Sequence, residues 1–141
     1  MTQIHTFSFQ KPEFHMHDCY VTNVSLSEQS LTFELEHGMY ILKNEDYIHT
    51  GPAKLVFTKF SNQKCEIRYL RNNHRECVDT DVLKKDLESG YIDIIYEMYN
   101  ESVAHFEGIL IQGTGWKTVE MNIFFPKLTI FYEEGELGAD E

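Results

Sequence analysis

Apolar and polar residues alternate with a period of two over much of this chain, a pattern that predicts short β-strands. Residues 31–36 alternate in this way and are followed by His37-Gly38, which predicts a turn. Residues 39–42 are then expected to return as the second strand of a hairpin. The stretches 53–60 and 64–70 are predicted to form another strand pair across a short polar loop.

The second half of the chain also has the character of strands. Residues 91–99 are apolar at nearly every position, which predicts a central strand that is buried on both faces. The strand predicted for residues 103–112 contains Gly108, and a glycine inside a strand indicates a bulge or a close approach of backbone. Two further strands are predicted for residues 116–125 and 127–134. Short loops between such strands favour antiparallel pairing.

One short helix is predicted near residues 79–89. Asp79 or Thr80 is a suitable N-cap, Gly90 stands where the helix would end, and two leucines four residues apart would share one face. A helix this short needs to pack on the sheet for stability. The chain is therefore expected to be a mainly β protein (α+β), either an antiparallel curved sheet or a two-layer β-sandwich, with the helix at a side or end.

The composition fits one β-rich domain over residues 1–134, followed by an acidic flexible tail at 135–141. Of the 141 residues, 42% are hydrophobic, which is enough for a packed core. No apolar run approaches the length of a membrane helix, and the N-terminal residues do not have the pattern of a secretory signal. Three cysteines, an odd number, indicate free thiols in a reducing compartment, so a cytoplasmic location without membrane contact is expected.

The charge balance changes the expected partners. The formal net charge is −11, from 23 acidic and 12 basic residues. Nucleic acids bind to clustered lysine and arginine, so no nucleic-acid partner is expected. An acidic surface instead favours a basic protein partner, such as a toxin, through electrostatic steering. Unpaired sheet edges leave a homodimer as a further alternative.

The segment Phe14-His-Met-His-Asp-Cys19 carries the first candidate site. On an extended chain His15 and His17 would lie on one face, and with Asp18 they could bind a metal such as zinc. The histidine pair matches part of the cupin metal motif, but Val21 and Thr22 stand where that motif has a glutamate. The competing interpretation is that His17 and Asp18 cap the start of a strand by bonding to nearby backbone.

Other chemical motifs are weak. His74 and Cys77, with Cys65 upstream, are interpreted as a polar loop rather than a metal site, because no paired cysteine motif accompanies them. No nucleophile elbow and no phosphate-binding loop occurs in the sequence. We therefore assign no catalytic, cofactor-binding or metal residue and expect no cofactor and no enzymatic activity. Trp116, which follows a Gly-Thr-Gly loop, is the predicted partner-contact residue.

The two ends of the chain carry a family likeness. Residues 17–35 show a His-Asp pair and two alternating strands around a polar turn, and residues 105–134 show a Phe-x-Gly strand with two closing strands. These ends resemble small β-rich bacterial domains, some of which are immunity proteins of polymorphic toxin systems. The resemblance implies a non-catalytic protein that binds and neutralises a toxin, and it supplies no site residues. The alternative is a β-barrel or sandwich that binds a metal or small ligand through His15 and His17.

Overall fold

The structure is a computed structural model that describes residues 2–58, 66–124 and 127–135. Within these ranges the chain forms fourteen strands, one α-helix (α1, Thr80–Asp86) and a 3-10 turn, Leu87–Ser89. The first seven strands are β1 (Thr2–Thr6), β2 (Phe14–His15), β3 (Tyr20–Val21), β4 (Asn23–Leu26), β5 (Ser30–Leu35), β6 (Tyr40–Lys43) and β7 (Asp46–His49). The remaining strands are β8 (Ala53–Thr58), β9 (Glu66–Arg71), β10 (His74–Val78), β11 (Gly90–Tyr99), β12 (Val103–Gln112), β13 (Gly115–Phe124) and β14 (Lys127–Glu133).

The strands form two main antiparallel layers. The smaller sheet has the order β1-β14-β8-β5-β4, and the larger sheet has the order β10-β9-β13-β12-β11-β3. A third sheet, β2-β6-β7, has three short strands. All strand pairs in the described residues are antiparallel. The expected mainly β fold with antiparallel sheets and one short helix is therefore confirmed.

The core lies between the two layers, as strict alternation on the strands requires. Phe33 and Phe57 project from the smaller sheet, and their ring centroids lie 5.6 and 6.4 Å from that of Phe106 on the larger sheet. All three rings are buried. Burial of these rings, which come from both sheets, stabilises the contact between the two layers through the hydrophobic effect and through ring packing.

Both predicted strand pairings are wrong. The turn predicted at His37-Gly38 is present. Gly38 suits it for two reasons: its φ is +87°, and a Cβ atom there would clash with the carbonyl of Thr50. The strands on either side of that turn, however, belong to different sheets: β5 pairs with β4 and β8, and β6 pairs with β2 and β7. The strands β8 and β9 likewise lie in opposite layers, and the predicted loop between them falls outside the described residues.

The helix prediction is confirmed. Asp79 is the N-cap, and its side chain accepts a hydrogen bond of 3.0 Å from the Val82 amide. Leu83 and Leu87 are buried, as expected for residues four positions apart that face the sheets. Gly90 has an extended conformation and begins β11 directly after the 3-10 turn. The helix has seven residues, and no helix in the described ranges is long and apolar enough to cross a membrane.

The strand β11 departs from the prediction of burial on both faces. Its pairing with β12 shifts register between Ile94 and Tyr96, which marks a β-bulge. Before the bulge Ile94 is buried, whereas Ile95, Tyr96 and Met98 are exposed. Burial on both faces is therefore wrong for the second half of the strand.

Gly108 lies opposite Ile94 at this bulge. A Cβ atom at Gly108 would lie 2.5 Å from the Asp93 carbonyl oxygen, closer than van der Waals contact allows. The prediction that this glycine marks a bulge or close backbone approach is confirmed.

The predicted tail lies mostly outside the described residues. Gly135, its first residue, packs so closely on the His49 carbonyl oxygen that a Cβ atom there would be 2.3 Å away. Residues 136–141 are not described.

Candidate functional site

His15 lies in an aromatic environment on the three-stranded sheet. Its ring stacks on Tyr40 with a centroid distance of 4.6 Å and meets Tyr47 edge-on at 4.7 Å. Its Nδ1 atom is buried without a hydrogen-bond partner among the described residues. Burial lowers the pKa of His15, and the neighbouring His17 lowers it further. The ring therefore favours its neutral form.

Hydrogen bonds of His17 and Asp18 attach their segment to β11 at its bulge. The His17 Nδ1 atom lies 2.9 Å from the carbonyl oxygen of Ile95, and its Nε2 atom lies 3.4 Å from an Asp18 carboxylate oxygen. Because a carbonyl only accepts, Nδ1 must carry the proton. The Asp18 amide donates to the carbonyl of Ile94 at 2.8 Å, and the Ile94 amide donates to the carbonyl of Cys19 at 3.0 Å. The segment thus bonds to β11 mainly through its own backbone groups. The His17 side chain bonds a carbonyl rather than an amide, and the Asp18 side chain contacts His17, so these contacts do not match the capping interpretation.

The structure does not bring a third ligand to the histidine pair. In residues 2–58, 66–124 and 127–135, no group of three or more His, Cys, Asp or Glu side chains is placed to hold a metal ion. His74 and Cys77 are exposed on β10, and Cys65 lies outside the described residues. Metal binding by His15 and His17 stays a prediction.

Two buried groups near this segment are suited to structure rather than to nucleophilic chemistry. Burial raises the pKa of the Cys19 thiol to about 12, with a further contribution from Glu97, so little thiolate forms near neutral pH. Burial also raises the pKa of Glu97. The Glu97 carboxylate accepts hydrogen bonds from the Met16 amide at 2.7 Å and the Tyr99 hydroxyl at 3.2 Å. It thereby links the N-terminal segment to β11.

The outer face of the larger sheet carries a row of apolar side chains, of which Trp116 is exposed and Tyr91 and Ile111 are half-buried. Tyr91, Ile111 and Trp116 are directly opposite one another on β11, β12 and β13, and we call these three residues the apolar row. The Trp116 side chain is 71% exposed, the largest exposed fraction among the exposed large hydrophobic side chains of the described residues. Tyr20 on β3 extends the row, since its ring centroid lies 4.5 Å from that of Tyr91.

The opposite half of the same face carries charged side chains that pair within the chain, next to the exposed Tyr96 and Met98 of β11. The Arg75 guanidinium lies 3.3 Å from Glu120, and that of Arg68 lies 2.7 Å from Glu66. A third contact of 2.7 Å joins His105 and Glu107. Exposed pairs of this kind contribute little stability, but they fix the orientation of the side chains.

The contacts of His105 favour its protonated form. Its Nε2 faces the Glu107 carboxylate and its Nδ1 faces Oδ1 of Asn122, both at 2.7 Å. A protonated ring can donate from both nitrogens to these two oxygens. Burial lowers the pKa of His105, but the hydrogen bonds to Glu107 and Asn122 outweigh it and raise the pKa overall.

A second surface feature opens on the outer face of the smaller sheet. Glu34 and Lys54 are opposite one another on β5 and β8, and they line a hollow of about 780 Å³. We call it the acidic hollow, because its described lining residues include four carboxylates and one lysine: Glu34, Glu36, Glu88, Glu133 and Lys54. The Glu34 carboxylate is held by Asn23 at 2.8 Å.

The sequence singled out Trp116 but not the residues that lie beside it on the sheet. Ile111 could have been placed beside Trp116 by the short Gly113-Thr114-Gly115 turn, because a tight hairpin sets the register of the strands that it joins. Tyr91 and Tyr20 could not have been placed there, since both pairings link distant parts of the chain. The acidic hollow likewise combines residues from separate parts of the chain.

Comparison of this chain with protein-family models, with curated proteins and with solved structures gives no match.

Proposed function

We propose that this protein acts without catalysis and docks a protein partner on the outer face of its larger sheet. The observation that carries the proposal is the exposure of Trp116 at one end of the apolar row. Tryptophan and tyrosine are enriched among the residues that dominate binding energy, because each buries a large area on a stiff side chain. Exposing Trp116 to water at the end of this row has no evident benefit for folding.

The surroundings of the apolar row support a binding role. Protein interfaces combine an apolar centre with a polar rim. Here the row adjoins the charged half of the sheet, whose described charges pair with one another. A partner that covers these pairs does not leave their charges unpaired, whereas Asp93 beside Tyr91, whose Oδ1 has no partner among the described residues, would need a donor from that partner.

The platform is also rigid enough for direct docking. The strand β12 is paired along its length with β13 and on its other side with β11. A surface on continuous paired strands changes little on binding, so less conformational entropy is lost. The resemblance to immunity-type domains supports a toxin as the class of partner, which this protein would neutralise by covering it.

Site-specific photo-crosslinking in a lysate of the source cell tests the proposal. We expect p-benzoylphenylalanine at position 116 to capture a partner that the same probe at Ser102, at the far end of the β11–β12 hairpin, does not capture. The Trp116→Ala variant should bind the identified partner at least roughly thirtyfold more weakly, the effect of losing a central aromatic contact. The Phe9→Ala variant, which removes another exposed ring, is the matched control.

The toxin assignment has its own readout. Expression of the captured partner should inhibit growth, and co-expression of the wild-type protein, but not of the Trp116→Ala variant, should restore it. Equal rescue of growth by the wild-type protein and the Trp116→Ala variant would contradict the proposal, as would equal crosslinking at positions 116 and 102.

A further inference from the structure

The apolar row and the acidic hollow adjoin one another around one edge of the molecule. Tyr20, which stacks on Tyr91, lies at the edge strand β3, and its ring centroid is 6.4 Å from that of His37. His37 follows Glu36, which lines the hollow. On the other side Glu88, another lining residue, lies three positions before Tyr91 in the chain. The two features are therefore parts of a continuous surface that crosses from one sheet to the other.

The charges of the two parts differ in one respect. On the charged half of the larger sheet each of Glu66, Glu107 and Glu120 has a cationic partner from its own chain. In the hollow Glu36 and Glu88 are exposed, and neither forms an ion pair within the described residues. These two carboxylates therefore place unpaired negative charge at the hollow.

We infer that the occupant of this surface is a basic protein, which packs an apolar patch on the row and extends lysine or arginine side chains into the hollow. The inference rests on the proposed function and adds the chemistry of the partner. Charge complementarity favours this occupant, since opposite potentials speed association and suppress wrong partners. A second copy of this chain is disfavoured, because each copy carries a formal charge of −11.

Selection of a displayed library of random 16-residue peptides on the wild-type protein tests the inference. We expect enriched peptides to combine lysine or arginine with large apolar residues. The affinity of a consensus peptide is then measured by fluorescence anisotropy at low and at physiological salt. The Glu36→Gln/Glu88→Gln variant should bind it about tenfold more weakly at low salt, the effect of losing two exposed ion pairs, and this difference should shrink as salt is added.

A matched variant separates specific contacts from net charge. Glu28→Gln/Glu101→Gln also removes two exposed carboxylates, but at turns away from the hollow, and it should bind the peptide as the wild type does. Equal weakening by both double variants would overturn the inference, since only overall charge would then matter. Enriched peptides that lack basic residues, yet require Trp116, would also overturn it while leaving the proposed function intact.

Two further outcomes bear on the proposed function itself. Failure to enrich any peptide, or binding that is unchanged in Trp116→Ala, would count against both the proposed function and the inference. Sedimentation equilibrium that shows a dimer abolished by Trp116→Ala would replace the basic partner with a second copy.

Discussion

Gly108 shows how one residue fixes local geometry in this fold. It lies on β12 opposite the bulge of β11, where the backbone of Asp93 comes too close for any side chain. That bulge in turn presents the carbonyl of Ile95 to His17. The close approach at Gly108 therefore contributes to holding the N-terminal segment on the larger sheet.

Replacing Gly108 with alanine should destabilise the protein by about 1–3 kcal/mol, because the added methyl group forces the strands apart. Urea unfolding monitored by circular dichroism measures the change. Gly115→Ala on the neighbouring strand is the matched control, since a Cβ atom there would come no closer than 3.6 Å to the Gln112 carbonyl oxygen. Equal stability of the two variants would contradict this account.

Some single residues in the sequence predicted the local structure, and others did not. Gly108 and Asp79 could be interpreted because a mid-strand glycine and a helix cap are local features with local causes. The roles of His15 and His17 could not, because the stacking on Tyr40 and the bond to Ile95 depend on strands that are distant in sequence. Residue type alone made this segment a metal candidate.

At the scale of elements, the helix α1 has the N-cap and the buried leucine that its sequence predicts. Asp79 caps its first turn, and Leu83 contacts the core. The side chain of Lys84 also donates to the Val24 carbonyl at 3.2 Å, which links the helix to β4 at the edge of the smaller sheet. The helix therefore covers backbone that would otherwise be an open sheet edge.

The Asp79→Ala variant should lose about 1 kcal/mol of stability, because the Val82 amide would lose its side-chain acceptor. Chemical denaturation measures the loss. Asp81→Ala removes an exposed carboxylate from the same turn without removing the cap. If Asp81→Ala were as destabilising as Asp79→Ala, charge near the helix start would be the cause rather than capping.

Strand positions could be predicted from the sequence, but strand partners could not. Alternation placed β5, β8 and β12 nearly where they lie, since burial of one face imposes a period of two. The predicted hairpins failed because the chain leaves one sheet for another after β5 and again after β8. A polar stretch between two strands has the same local composition whether the strands pair or separate.

At the scale of the whole molecule, buried histidines make stability depend on pH. Burial is the main cause that lowers the pKa of His5 and of His15, and one ring nitrogen of each is buried without a partner in the described residues. At these two residues the unfolded chain therefore binds more protons than the folded chain, at pH values between their folded pKa values and about 6.5. Through these two residues, stability falls as the pH drops from 6.5 to their folded pKa values. The raised pKa of His105 has the opposite sign, because protonation of this ring favours the folded state.

Opposite changes in the pH dependence are expected from two variants. His15→Phe keeps an aromatic ring beside Tyr40 but cannot titrate, so it should reduce the loss of stability between pH 7.5 and pH 5. His105→Gln should increase that loss, since it removes a group that stabilises the folded state on protonation. Urea unfolding across this pH range measures both slopes. A change of the same sign in both variants would contradict the assignment.

The pairing of β1 and β8 with β14 has a consequence for biosynthesis. The strand β8 (residues 53–58) has β5 on one side and β14 on the other, and β1 has β14 as its neighbour in the smaller sheet. A nascent chain therefore exposes an unfilled gap between these strands until residue 133 has left the ribosome. The β11–β12–β13 meander, which ends at Phe124, can pair before β14 has emerged. Ribosome stalling or truncation before β14 would consequently release a chain with vacant hydrogen-bonding edges, which invite aggregation and recognition by chaperones.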